Sequence, residues 1–167
     1  MSYQLFYGLS EMMNFDTHQT SNHQNATPSQ PDPRVAAALD EIGFAYEVDA
    51  LEASYFINLP IGDDRSHGVN IGSKTRQFMG AEMRRICSIS FESDGPFDPR
   101  SANLLLRENA DHLVGSWSIV PDEGIHYAMF SLIVSATADG RTLGKLIELV
   151  AHTADAMEFR LTGLDEF

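Results

Sequence analysis

The chain of 167 residues has a single cysteine, Cys87. One thiol cannot close a disulfide within the chain and cannot make a thiolate metal cluster. No apolar run approaches the roughly 18 residues of a membrane-spanning helix. The start has no basic patch leading into an apolar segment, so no secretory signal is expected and the cytoplasm is the expected compartment. Basic residues are also scarce: 11 Lys and Arg stand against 24 Asp and Glu, a formal charge of -13. That excess repels phosphate backbones and anionic lipid, so neither nucleic acid nor a membrane is an expected partner. Catalytic signatures are missing as well: HExxH, GxSxG and CxxC do not occur, and Gly72-Ser73-Lys74 lacks the spacing of a phosphate loop. The expectation is a non-enzymatic protein with no cofactor and no metal.

What is present is the composition of an ordinary globular domain, 43% hydrophobic and 21% charged. Residues 1–32 read as an N-terminal arm and polar linker. In the arm Leu9, Met12 and Met13 have helical spacing, while residues 16–33 carry no aromatic and too little apolar surface to offset ordering. Residues 33–160 read as one α+β domain and 161–167 as a tail. Asp32-Pro33 and Asp98-Pro99 each place a capping carboxylate before a proline, the signature of a helix start. The first helix carries Val35, Ala38, Leu39 and Ile42 on one face and stops at Gly43. The second carries Ala102, Leu105, Leu106 and Asn109. A third runs from Asp139 to about Phe159 with Leu143, Leu146, Ile147, Val150, Ala154 and Met157 at helical period.

Between the helices the pattern alternates. Phe44–Ala50, Tyr55–Ile61, His67–Gly72 and Arg84–Glu92 read as four antiparallel strands, with Cys87, Ile89 and Phe91 on one strand face. Leu113–Val120 and Ile125–Val134 form a hairpin around Pro121–Gly124. The order is α-β-β-β-β-α-β-β-α, an antiparallel sheet with helices packed on one face. The last strand is apolar in both registers: Ile125, Tyr127 and Met129 on one side, Ala128, Phe130, Leu132 and Val134 on the other. A strand of that kind is covered on both faces. One helix layer covers one, leaving the second for a homodimer or for a partner's apolar segment. Trp117, Tyr127, Met129 and Phe130 are the candidate contact positions, Trp117 being open between core and interface anchor.

Three polar groupings are candidates for chemistry. Lys74, Arg76, Arg84 and Arg85 form the one local basic group, and would suit an anionic ligand or acidic peptide. His112, His126 and His152, with Asp111 and Asp155, are the best-placed set for a metal, because His152 and Asp155 stand at i, i+3 on a helix. No spacing signature supports that set, and His18 and His23 in the linker have none either. The acid pairs Asp63-Asp64, Asp122-Glu123 and Asp165-Glu166 flank turns or a terminus, where solvation accounts for them.

Asp98-Pro99 through Leu104-Leu-Leu106-Arg-Glu-Asn109, Gly115-Ser-Trp-Ser-Ile119, the strand Tyr127–Val134 and the helix through Ala154-Asp-Ala-Met157 together resemble the YbjN-type family. Its members are candidate bacterial sensory transduction regulators with a fold like that of type III secretion chaperones. The resemblance covers roughly residues 33–160, and departs in the front extension and in a long Arg65–Met83 stretch. It implies a non-enzymatic protein- or peptide-binding module, acting as a homodimer. A small-anion sensor built on the basic group is the alternative.

Overall fold

The computed structural model describes residues 30–62 and 65–162. The arm, most of the linker, His18, His23, Asp63-Asp64 and the tail with Asp165-Glu166 lie outside the described residues. Helix α1 (Pro33–Ile42) starts where Asp32 accepts the Arg34 N–H at 3.0 Å, with Pro33 in the first turn, and ends at Gly43 in the left-handed region. Helix α2 (Pro99–Glu108) repeats the device: Asp98 accepts from the Arg100 N–H at 2.7 Å and the Ser101 N–H at 3.2 Å. Helix α3 (Gly140–Thr162) is capped by Asp139, which accepts the Thr142 N–H at 2.7 Å.

Strands β1 (Glu47–Asp49), β2 (Ser54–Pro60), β3 (Ser66–Gly72), β5 (Ala81–Asp94), β6 (Ser116–Asp122) and β7 (Ile125–Ser135) form one antiparallel sheet. Its order is β1-β2-β3-β5-β7-β6, and a short β4 (Arg76–Phe78) pairs with the start of β5. The described helices share one face. Their apolar sides meet Tyr55, Ile57, Val69, Ile71, Ile86, Phe130 and Leu132 in the main core. Helix α1 lies tightly on α3 because Gly140 leaves room: a Cβ there would sit 2.5 Å from the Ala38 carbonyl oxygen.

Four details differ from the sequence reading. The connection from Ser73 to Met83 holds a further strand, β4, and a turn at Met79-Gly80. Strand β6 begins at Ser116 rather than Leu113, which is 98% exposed. The cause is Gly115, at φ +82°, whose missing side chain lets the Phe130 ring approach. On α2, Leu105 is buried and Leu104 packs beside it, while Leu106 turns out to solvent. Finally, Ser90 is an extra residue in the β5–β7 ladder, where Ile89 pairs with Met129 and Phe91 with Ala128. This bulge moves Phe91 to the helix face, away from Cys87 and Ile89.

Candidate functional site

The second face of the sheet carries a cluster made by strands alone. Cys87 of β5 and Met129 of β7 are 1% and 3% exposed, with Ile89 and Val120 packed against them. Register explains the grouping: Met129 lies opposite Ile89 on β5 and Ser118 on β6, and Cys87 lies between Asn70 and Ser131. Tyr127, opposite Val120 and Glu92, is buried on the same face, and burial raises its phenol pKa. Burial also pushes the Cys87 thiol up to about 12, against the opposing pull of Arg85. Asn70 adds a polar centre. Its amide nitrogen donates to Ser54 Oγ at 3.0 Å, and its buried Oδ1 has no donor among the described residues. Ile133, half exposed, extends the same row of β7.

The contact positions read from the sequence divide between the two faces. Trp117 and Phe130 point to the helices, their rings 5.2 Å apart, and are 5% and 0% exposed. Trp117 Nε1 donates to His112 Nε2 at 3.2 Å, and the His112 ring stacks 4.8 Å from Phe130. Trp117 and Phe130 belong to the core on the helix side, and Trp117 also lines a cavity there. Tyr127 and Met129 lie on the opposite face, as alternation along β7 demands.

The basic group divides between the two faces of the sheet, Arg76 lying near Arg85 and Arg84 apart from both. Arg84 and Arg85 are neighbours on a strand and so point to opposite faces. Arg84 is buried toward the helices, with Nη2 2.7 Å from Asp32 Oδ2 and 3.2 Å from the Ala136 carbonyl oxygen. Arg34 closes the network by bridging Asp32 and Glu82, each at 2.6 Å. The bonds from Arg34 in particular hold the Asp32 and Glu82 carboxyls below their usual range, Glu82 to about 2. Arg84 thus serves to fasten the start of α1 to β5. Arg85 is half-buried on the second face, while Lys74 and Arg76 are exposed near β4.

The histidine set also separates. His112 and His152 line a cavity of about 310 Å³ with Glu108, Trp117, Met157 and Arg160, in which Glu108 and Arg160 are paired at 2.9 Å. His126 stands on β7 opposite Pro121. Asp155 meets instead His67 of β3 and Glu158 of its own helix, a grouping that no local motif announces. No helix among the described residues is long and apolar enough to cross a membrane.

No protein-family model matches this chain, and no curated protein matches it. Among solved structures, YbjN from E. coli, a candidate transcription regulator, is similar with a TM-score of 0.52 at 8% identity. The alignment covers 83% of this chain and 96% of that one. At such identity the likeness is one of architecture, and it agrees with the helix and strand order described above. The chain has a YbjN-like α+β fold.

Proposed function

We propose that this protein is a non-enzymatic binding module of regulatory type, working as a homodimer through the second sheet face. Tyr127 and Met129 stand at the centre of the interface, with Ile89, Val120 and Ile133 around them. The observation that carries this reading is the strand-only apolar cluster. A solvent face of an antiparallel sheet alternates to polar side chains, and this one holds methionine, cysteine, isoleucine and valine. The buried Asn70 Oδ1 supports it further, because a buried acceptor without a donor costs about 1–3 kcal/mol that an incoming N–H would recover. The likeness to a candidate transcription regulator supports a regulatory role. The charge of -13 directs that role toward protein surfaces rather than a phosphate backbone. A peptide from a partner protein is the occupant this face would take in place of the second copy.

Light scattering across a dilution series tests the reading. The full chain is expected at twice its 18.5 kDa mass, and Met129→Glu at the monomer mass with its circular dichroism unchanged. A wild-type monomer at every concentration would sink the homodimer. A dimer that survives Met129→Glu would move the interface off this face. If the full chain is monomeric and a chain starting at Asp32 dimerises, the first 31 residues compete for the same surface.

A further inference from the structure

His67, Asp155 and Glu158 are brought together where α3 crosses β3, and the function proposed above uses none of them. Their donor atoms lie within 4.8 Å of one another. His67 is 6% exposed, and its Nε2 lies 2.9 Å from the Ile89 carbonyl oxygen. A carbonyl only accepts, so Nε2 carries the proton and the Nδ1 lone pair faces the other way. It faces carboxylates: Nδ1 is 3.7 Å from Glu158 Oε2, beyond hydrogen-bond length. Burial is the largest influence on the ring and favours its neutral form. The two carboxylates pull the other way, toward a positive charge at Nδ1, which either a proton or a bound cation supplies.

The geometry suits such a cation. Asp155 and Glu158 stand at i, i+3 and so share one side of α3. Bonds of about 2.0–2.2 Å to a tetrahedral ion place neighbouring ligand atoms about 3.4 Å apart. The His67–Glu158 separation is near that value already. The ring is oriented by its bond to a backbone carbonyl, which is how a metal-ligating imidazole is usually held. Arg65, exposed on its own strand entry, meets Asp155 at 3.2 Å and supplies the counter-charge when no ion is bound.

We propose that His67 Nδ1, Asp155 and Glu158 form a site for a divalent cation of the zinc or cobalt class. One imidazole with two carboxylates selects that class over magnesium or calcium, which take oxygen ligands. Water completes the coordination as Arg65 swings to solvent. The bound ion ties β3 to the last turns of α3, so occupancy clamps the helix layer onto the sheet.

Titration calorimetry of Zn²⁺ into the full, chelator-stripped chain tests this, in a His18→Gln, His23→Gln background that removes the two imidazoles outside the described residues. One equivalent is expected to bind with micromolar affinity and to raise Tm by several degrees. Co²⁺ should give the visible absorption of a low-coordinate nitrogen–oxygen site. Glu158→Gln and Asp155→Asn, both near-isosteric, should each weaken binding by about tenfold or more and abolish the Tm shift. His152→Ala, an exposed histidine on the same helix, should leave binding unchanged. No saturable uptake at millimolar Zn²⁺ would overturn the proposal, as would uptake indifferent to Glu158→Gln and Asp155→Asn. The outcome is independent of the dimer, because the site lies on the helix side of the sheet.

Discussion

Strand β7 presents two rows of largely apolar side chains that are differently used. On the helix side Ala128, Phe130, Leu132 and Val134 enter a cluster to which all the described helices contribute. On the other side Met129 joins Cys87, Ile89 and Val120 in a small cluster of strand residues, and Tyr127 is buried in the same row. The same alternation therefore builds the core on one face and, in the function proposed above, a binding surface on the other. Hydrophobicity alone does not separate the two. What separates them is whether the chain itself supplies the opposite wall, and here the caps at Asp32, Asp98 and Asp139 launch every described helix toward the same side.

The sharpest way to break the comparison is to truncate one side chain from each row. Phe130→Ala removes a fully buried ring between Trp117, His112 and α3, and should cost about 3–5 kcal/mol of stability. Met129→Ala should cost about 2 kcal/mol, close to the transfer value of a buried methionine side chain. Its main effect should fall on the dimer mass. Urea denaturation of the two variants reads both numbers. Equal losses would mean that the second face belongs to the core, and that its apolar character needs no partner.

A middle-sized effect tests how the helix face is fastened. Asp32→Asn keeps a good N-cap but removes the charge facing Arg84, which is 3% exposed. Leaving that guanidinium buried and unpaired should cost about 3 kcal/mol, while the dimer mass stays as in the wild type. The same network fixes the acid response. Asp32 and Glu82 have folded-state pKa values below the usual carboxylate range, so the unfolded chain binds more protons in acid. Their contribution is complete above about pH 4.5 and declines as pH falls toward the Glu82 value of about 2. Tm measured from pH 6 to pH 2 should drop over that interval, and less steeply in Asp32→Asn. A variant with an unchanged slope would exclude the network as the acid-sensitive element.

The fold was legible because its signals are local. Asp-Pro pairs mark helix starts, the helical period of Leu143 to Met157 marks α3, and double alternation marks β7. The errors come from features that depend on distant partners. Leu113 has strand character by its own neighbours, but the chain turns at Gly115 to admit the Phe130 ring from β7. Phe91 changes face through one extra residue, a choice made by the β5–β7 pairing. The sites were less legible for the same reason. Arg84 and Arg85 look like one basic patch in sequence, and a pleated strand sends them apart. His67 carries no motif and acquires its carboxylate neighbours only when α3 crosses β3.

The smallest effect, and the most direct report on the second face, is the reactivity of Cys87. Its thiol is buried among strand residues and held near 12, so at pH 8 about one molecule in ten thousand carries the thiolate that a labelling reagent needs. Native protein should therefore label far more slowly than the urea-unfolded chain. Met129→Glu, which places a charge against Cys87 and breaks the proposed dimer, should raise the rate several-fold beyond what its lower stability accounts for. Asp32→Asn should raise it only as far as its lower stability raises the unfolded population. If both variants label in proportion to their unfolding equilibrium, Cys87 is reached only by global unfolding, and the second face does not open as a surface of its own.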